Sequence, residues 1–535
     1  MIVRILLAVA PLAAALYALA TGQDVNWDLR NYHFYNPYAF LNGRMGWDIA
    51  VSHVATYYNP LMHVPFYWAV NALPPRAVGF LLGLLPGFNI WLLYGICREA
   101  VDLGSPRRNE WFSLATAFVG MAGVMNLAEI GTSYGDNILS LAVLTAVWLI
   151  VRFRERLGAG LSSAGPIAAA AGILAGLPFG LKLPFAVYAV ALCAAFFGLR
   201  LPYRRRFTLA FIFGLGVLAG AAATGGFWML EMWARFQNPV FPYFNQYFQS
   251  AWGTVGSYRD ERFIPTTLLM WLTFPIWFNI DPMQVGEVGF RDLRFPLLYV
   301  LLPALLVKSV WVRARRPSGA PPAPAAGSNR RPVTPFFIVF MLVAFLLWMK
   351  LFAVYRYLMV AEMLAPVTVV LVLGALLGNP RRQMIAALAA FILLLITLAP
   401  GDWGRRPWGV DYFGVAPPAI AEPARTIVLM AGHDAMAYLI PFFPPPVRFL
   451  RIQGYVTGPS AEPNRTDRLM REIIARHEGP LFILFRVYEE WHAMTALASY
   501  GLETDPGACT RFVPRIEPQP EHLFHFCEAR KTHRP

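Results

Sequence analysis

Long apolar runs alternate with short polar connections along the first 400 residues. Each run is about 20 residues long, which is the length a helix needs to cross about 30 Å of hydrocarbon. The pattern predicts an α-helical polytopic membrane protein with about eleven transmembrane helices. The predicted spans are 4–21, 77–97, 111–128, 137–153, 164–181, 184–199, 207–231, 295–311, 334–350, 358–377 and 383–400.

The connections differ in charge, and this predicts the orientation. Arginine clusters occupy every second connection, and basic residues mark cytoplasmic loops. The clusters lie at 107–108, 152–156, 204–206, 313–316, 330–331 and 381–382. The N-terminus is therefore predicted to be cytoplasmic. The first run, MIVRILLAVAPLAAALYALA, also fits a cleaved signal peptide, and with either interpretation residue 22 onward lies outside.

The opposite side carries the long segments. These are an outer loop (22–76), an outer region (232–294) and the C-terminal part (401–535). Within the outer region, TTLLMWLTFPIWFNI (266–280) is interpreted as re-entrant or interfacial, because a further span there would invert every later arginine cluster. The cytoplasmic stretch 312–333 is rich in Pro, Ala and Gly, which predicts a disordered linker.

The periodicity changes after the last span. TIVLMAG (426–432), VRFLRIQGY (447–455) and PLFILFRV (480–487) are typical of short buried strands. TDRLMREIIARHEG (466–479) is typical of an amphipathic helix with Thr466 as N-cap. Strands and a helix in this order predict a small exterior α/β domain over 401–535, attached to a transmembrane module over 1–400.

Composition supports the membrane class. Hydrophobic residues make up 57% of the 535 residues and charged residues 14%, whereas soluble proteins contain about 25% charged residues. The net charge of +14 comes largely from the arginine clusters, so no nucleic-acid partner is predicted. Cys509 and Cys527 lie in the exterior part, where an oxidising compartment favours a disulfide. Two cysteines lack the ligand number of a structural metal site.

Five ionisable residues lie at the outer ends of the predicted spans, and such residues are functional candidates. They are Asp24, Asp28, Asp136, Lys182 and Arg356. The two cations suit a lipid phosphate, and a carboxylate can accept the proton of an attacking hydroxyl.

Structural alternatives exist for several of these residues. Asp136 can cap the helix that follows it, Lys182 can extend to the interface, and Arg356 can pair with Glu362. His33, His53 and His63 are irregularly spaced, which favours hydrogen bonding at the interface over a metal site.

Several motifs resemble the GT-C superfamily of integral-membrane glycosyltransferases, which use polyprenyl-phosphate sugars. The motifs are WDLRNYHFYNPYAFLNGR after the first span, SYGDNILSLAVL, GLPFGLKLPF, YRYLMVAEMLAP and NPVFPYFN. The resemblance covers roughly residues 1–400. It implies inverting transfer of a sugar from a polyprenyl-phosphate carrier to a cell-envelope hydroxyl at the outer face of a bacterial inner membrane, with the C-terminal domain periplasmic.

The resemblance also implies roles for residues. Asp28 takes the place of the catalytic base, with Asp24 and Asp136 as further catalytic candidates, and Lys182 and Arg356 would bind the donor phosphate. Many relatives have adjacent acids in the first loop, whereas Asp24 and Asp28 are four apart, so the choice between them stays open. Substrate contacts are expected from Trp27, Arg30, Tyr32, His33, Tyr35 and Tyr57.

The expected partners are the polyprenyl-phosphate-sugar donor, membrane lipid, and a glycan, lipid or protein acceptor. No cofactor is predicted, and no metal, although some family members need a divalent ion. Two alternatives remain: a transporter or flippase of lipid-linked saccharide, and a non-catalytic protein of envelope-glycan assembly. A transporter more often places ionisable residues at the bilayer midplane, with repeat symmetry.

Overall fold

The computed structural model describes residues 1–315, 332–459, 463–517, 519 and 522–532, so most of the predicted linker 312–333 lies outside the described residues. The helices are α1 (Ile2–Thr21), α2 (Tyr35–Leu41), α3 (Val64–Ala72), α4 (Pro75–Gly87), α5 (Asn89–Ala100), α6 (Pro106–Met121), α7 (Val124–Glu129), α8 (Asp136–Arg152), α9 (Arg154–Leu157), α10 (Leu161–Leu181), α11 (Ala186–Ala195), α12 (Tyr203–Phe236), α13 (Asn245–Phe248), α14 (Leu268–Ile280), α15 (Arg294–Ala314), α16 (Thr334–Leu351), α17 (Met359–Leu377), α18 (Pro380–Ile396), α19 (Arg465–Arg476) and α20 (Glu490–Ser499). The strands are β1 (Gln23–Asp24), β2 (Arg405–Arg406), β3 (Ile427–Ala431), β4 (Arg448–Gln453), β5 (Leu481–Arg486), β6 (Leu502–Thr504), β7 (Thr510–Phe512) and β8 (Phe524–Lys531).

Every predicted span falls on helical residues, although 77–97 covers two helices, α4 and α5, and 111–128 covers α6 and α7. Seven helical segments of the described chain are long and apolar enough to cross a membrane: Ile2–Thr21, Pro75–Ala100, Leu161–Leu181, Tyr203–Phe236, Arg294–Ala314, Thr334–Leu351 and Tyr355–Leu377. The other four predicted spans fall on α6, α8, α11 and α18, which have 16, 17, 10 and 17 residues. The prediction of a helical membrane protein is confirmed, whereas a count of eleven spans is not established.

Helix α17 is the centre of the bundle. All its residues from Met359 to Leu373 are buried, and α5, α6, α8, α15, α16 and α18 pack around it. A helix that is apolar on every side has to be enclosed by other helices or lipid. Arg356 lies one turn before this helix, and the packing therefore determines where its side chain can reach.

Helices α10 and α12 pack closely because glycines recur on both. Gly172, Gly176 and Gly180 follow one face of α10, and a Cβ on Gly176 would collide with the carbonyl oxygen of Val217 on α12. Small residues at a spacing of four let helix backbones approach in a membrane. The close approach fixes the position of Lys182, which follows the last residue of α10.

The basic connections contact one another at one end of the bundle. Arg152 Nε lies 3.5 Å from Glu99 Oε1, Arg205 donates to the carbonyl of Ala159 at 2.6 Å, and Lys308 donates to the carbonyl of Leu376 at 2.6 Å. Helix α14 has 13 residues, or about 20 Å at 1.5 Å per residue. That length is short for a span, and the interfacial interpretation of 266–280 stays a prediction.

The first loop, residues 22–76, lies at the other end against the C-terminal domain. Strand β1 pairs antiparallel with β2, and Ile49 forms a bridge with Leu450 at the edge of the domain's sheet. The segment before α14 joins them, since Arg465 donates its backbone N–H to the carbonyl of Ala251. The three long segments predicted for one side thus meet at one end of the bundle.

The C-terminal domain is a small α/β unit, as the strand and helix pattern predicts. Its sheet has the order β4-β3-β5-β8-β6, with β7 paired to β8. Strands β3, β4 and β5 are parallel and β8 is antiparallel to β5. Helix α19 has Asn464 as N-cap in a capping box with Asp467, so the assignment of Thr466 as N-cap is wrong by two residues. Cys509 and Cys527 form a disulfide next to β7 and within β8.

Replacing Gly176 with Val is expected to destabilise the bundle. The added side chain meets the backbone of α12, and overpacking costs about 1–3 kcal/mol or more. The matched control is Gly214→Val on α12, where nothing lies within 4 Å of the added Cβ. Thermal unfolding in detergent should show a lower Tm for Gly176→Val and an unchanged Tm for Gly214→Val. Equal Tm values would contradict the close packing of α10 and α12.

Candidate active site

Trp27 and Asp28 are the partly exposed residues in a buried stretch of the first loop. Gln23 to Asn26 before them and Leu29 to Tyr38 after them are buried. The chain enters through β1 and continues as a π-helical turn, Leu29–His33, a conformation frequent at functional sites. The turn leaves the Asp28 side chain 13% exposed.

Asp24 is a fully satisfied structural carboxylate. Its Oδ2 accepts from the backbone N–H of Ser133 at 2.8 Å and from Ser133 Oγ at 2.9 Å. Asn26 Nδ2 donates to both oxygens at 2.8 Å, and Asn26 N donates to Oδ1 at 3.1 Å. Because its oxygens are occupied and the residue is 1% exposed, Asp24 fastens the first loop to the segment before α8.

Asp28 forms an ion pair with Arg356. Asp28 Oδ2 lies 2.9 Å from Arg356 Nη1, and the Tyr32 hydroxyl is 3.4 Å from the same oxygen. Among the described residues, no donor lies within hydrogen-bonding distance of Oδ1. Glu287 Oε2 is 3.9 Å from Arg356 Nη2. Asp28 therefore has one oxygen held by a cation and one that can meet a substrate.

Lys182 forms the second ion pair, with Asp136. Lys182 Nζ lies 2.6 Å from Asp136 Oδ2 and donates to the carbonyl of Tyr134 at 3.3 Å. Asp136 begins α8 after Gly135, whose φ of 72° is left-handed and favours glycine. The Asp136 side chain makes no capping hydrogen bond, and its Oδ1 has no partner within the described chain.

Two tyrosines bring the ion pairs together. The Arg356 guanidinium carbon lies 4.4 Å from the centre of the Tyr134 ring, while Lys182 binds the carbonyl of the same residue. The Tyr357 ring is 5.2 Å from that guanidinium carbon and 5.6 Å from Lys182 Nζ. Asp28, Asp136, Lys182 and Arg356 thus form one compact group, called here the acid–base cluster.

Glu362 belongs to a different group. Its Oε1 lies 3.6 Å from Arg294 Nη1, which is also 2.6 Å from Asp292 Oδ2. The Glu362 carboxylate accepts from the backbone N–H groups of Met125 and Asn126 at the start of α7. The structural alternative for Arg356, a pair with Glu362, is therefore not what the structure has.

Glu129 was missed by the sequence analysis. It is fully buried at the end of α7, and both carboxylate oxygens lack a hydrogen-bond partner among the described residues. It is close enough to Asp136, Lys182 and Arg356 to interact with them electrostatically. The signal that could have found it is an acid in the apolar segment VMNLAEI at the same membrane boundary.

His33 and His63 are two uncharged, stacked rings beside the cluster. Their rings stack at 4.0 Å, and His33 Nδ1 lies 2.8 Å from Ser133 Oγ. Burial, followed by the charge of Lys182, lowers the pKa of His63 to about 3. Burial and the neighbouring His63 lower the pKa of His33 well below its usual value. Both rings are neutral at physiological pH and add no positive charge.

The remaining predicted substrate contacts separate into three sets. Arg30 Nη1 binds Glu517 at 2.7 Å and Tyr35 donates to Asp48 at 2.9 Å, so both hold the first loop in place. Tyr57 lines a mostly apolar cavity of about 330 Å³, which contains no residue of the acid–base cluster. Trp27 and Tyr32 adjoin Asp28.

A potential metal-binding group lies in the C-terminal domain, away from the acid–base cluster. Its members are Cys509, His525 and Cys527. The two cysteines form a disulfide, and a metal binds the free thiolate. The disulfide accounts for their closeness.

No family model and no curated protein matches the sequence. Among solved structures, the chain is similar to the crystal structure of ArnT from Cupriavidus metallidurans bound to undecaprenyl phosphate, with 11% sequence identity and a TM-score of 0.47. The match covers 98% of this chain and 97% of that chain.

Replacing Asp24 with Asn is expected to lower stability. The amide cannot accept on both oxygens, so a Ser133 donor loses its partner, and an unsatisfied buried group costs about 1–3 kcal/mol. Asp281→Asn is the matched control, because that side chain is exposed at the end of α14. Chemical or thermal unfolding in detergent measures the difference. An Asp24→Asn protein as stable as the control would mean that Asp24 is free for another role.

Proposed function

We propose that this chain is an inverting glycosyltransferase of the GT-C type. It transfers a sugar from a polyprenyl phosphate to a hydroxyl of a cell-envelope acceptor, at the periplasmic face of a bacterial inner membrane. The observation that carries the proposal is the Asp28–Arg356 ion pair, partly exposed at one end of an apolar helical bundle and adjacent to the Lys182–Asp136 pair.

The donor phosphate is bound by the two cations. Arg356 offers a planar guanidinium suited to a phosphate, and Lys182 offers a point charge. Each cation is held by a carboxylate in the structure, so the arriving phosphate competes with Asp28 and Asp136 for them. When Arg356 turns to the phosphate, Asp28 loses part of its positive partner and becomes a better proton acceptor. Donor binding therefore prepares the base.

The transfer needs one proton acceptor and one stabilised leaving group. Asp28 Oδ1 accepts the proton of the acceptor hydroxyl while that oxygen forms a bond to the anomeric carbon. The bond from the anomeric carbon to the phosphate oxygen breaks, and its electron pair leaves with the polyprenyl phosphate. Attack from the face opposite the phosphate inverts the anomeric carbon. Arg356 and Lys182 neutralise the charge that develops on the leaving phosphate.

Asp28→Asn is expected to lower transfer about 10²–10⁴-fold, the usual contribution of a general base. The assay measures incorporation of radiolabel from a panel of polyprenyl-phosphate sugars into membranes that contain the protein. Asp281→Asn should transfer at the wild-type rate. Thermal unfolding of each variant establishes that it is folded. Equal incorporation by folded Asp28→Asn and wild type with every donor would exclude Asp28 as the base.

Arg356→Lys and Lys182→Met are expected to raise the KM for the donor and to lower kcat, because each removes charge or geometry from the phosphate site. Lysine cannot replace the planar fork of arginine. The control is Lys350→Met, which removes an exposed cation at the end of α16. The KM for the acceptor should not change. A rise in the acceptor KM alone would assign these cations to the acceptor instead of the donor.

A further inference from the structure

The carboxyl end of β3 lies at a reversal of strand order in the C-terminal domain. The chain leaves β3 for β4 on one side and later returns as β5 on the other. In open parallel sheets, ligands bind in the crevice at such a reversal of strand order. The segment there is Gly432-His433-Asp434, directly after β3.

Side chains from both neighbouring strands hold this segment rigid. The Glu489 carboxylate, after β5, accepts from the backbone N–H groups of His433 and Asp434. Gln453 of β4 accepts from Gly432 N at 2.7 Å. Arg451 donates to the carbonyl of Gly432 at 2.7 Å. These four hydrogen bonds are made between residues of the protein, so the segment keeps this arrangement without a ligand.

Arg451 also joins this segment to the first loop. It is fully buried, and its Nε donates to the carbonyl of Val51 at 2.9 Å. The His53 ring accepts from the backbone N–H of Tyr455 at 3.2 Å. The end of the sheet and the segment that carries Asp28 are therefore packed as one surface.

Six rings form a continuous row from the first loop to α20, called here the ring row; His53 is buried within it, and the other five rings are partly or largely exposed. Successive ring centres are 6.2, 4.8, 4.9, 5.0 and 5.1 Å apart. In order, the rings belong to Trp27, His53, Tyr455, His433, His492 and Trp491. Trp27 directly precedes Asp28 in the chain, so the row begins at the residue next to Asp28 and ends at α20.

The chemistry of the ring row fits a carbohydrate. Tyr455 is 64% and Trp491 71% exposed, which leaves large ring faces open to solvent without a continuous apolar patch. Such rings present an apolar face with a polar atom at the edge, which matches the C–H faces and hydroxyls of a sugar. The exposed Tyr455 ring carries a hydroxyl at its edge that can bond to a sugar hydroxyl.

Peptide and lipid fit this surface less well. A peptide commonly adds a strand to a free sheet edge, but Ile49 already occupies the edge of β4 through its bridge to Leu450. A lipid chain requires a groove lined by aliphatic side chains, whereas imidazole rings and the carboxylates of Asp434 and Glu489 lie at this end of the sheet.

We infer that the ring row is the subsite for a carbohydrate acceptor, whose terminal hydroxyl reaches Asp28 while its preceding sugar rings stack along Tyr455, His433 and Trp491. This inference rests on the proposed function and names the acceptor class of the same site. The donor sugar occupies the end of the row at Asp28, and the acceptor chain extends from there toward α20.

Binding is tested first, with the full-length protein in detergent and a panel of defined envelope-type oligosaccharides, followed by tryptophan fluorescence. At least one oligosaccharide should bind. Tyr455→Ala and Trp491→Ala should each weaken binding up to about tenfold, since a stacked ring contributes on the order of one kcal/mol. Trp68→Ala is the control, because Trp68 is 58% exposed and lies outside the row. Failure of every oligosaccharide to bind, or wild-type binding by both row variants, would overturn the inference.

Kinetic measurements distinguish an acceptor subsite from a donor site. They also test the subsite independently of the proposed function. In the transfer assay, Trp491→Ala should raise the acceptor KM and leave kcat and the donor KM unchanged. A raised donor KM would assign the row to the donor sugar and overturn the inference. Oligosaccharide binding that depends on the row, without transfer from any donor, would retain the subsite and reject the transferase.

Discussion

A charged side chain at the boundary of the hydrocarbon has to be paired, because removing a charge from water costs several kcal/mol. This requirement organises the end of the bundle that carries the acid–base cluster. Arg356 is paired with Asp28 and Lys182 with Asp136. The partners are 328 and 46 residues apart in the chain, so each pair holds distant segments in contact. The charged residues proposed for the reaction therefore also hold distant segments of the chain together at this end of the bundle.

The same requirement explains why Asp24 and Asp28 have different partners although they are four residues apart. Asp24 obtains its partners from Ser133 and Asn26, which are neutral donors. Asp28 obtains a cation that an incoming phosphate can also bind. A carboxylate held by several neutral donors stays as it is, whereas one held by a shared cation changes its environment when a ligand arrives. In the proposed mechanism, the reactivity of each carboxylate therefore depends on whether its partner is a neutral donor or a cation.

The C-terminal domain is joined to the first loop, which carries Asp28. Strand pairing between β1 and β2, the bridge at Ile49, and the Arg30–Glu517 ion pair connect it to the first loop. The transmembrane module and the exterior domain predicted from the sequence are therefore in direct contact through the first loop. The ring row crosses this junction, with two rings from the first loop and four from the domain.

The sequence by itself determined the apolar helices, the charge difference between their connections, the small α/β domain and four residues of the cluster. These features depend on local composition and periodicity, which each segment carries on its own. The tertiary structure alone decided that Asp28 pairs with a cation whereas Asp24 is held by neutral donors, which carboxylate pairs with each cation, that Glu129 is buried beside them, and that rings from four segments form one row. Those outcomes depend on contacts between residues far apart in the chain, and they arise only when packing in the bundle and the domain brings these residues together.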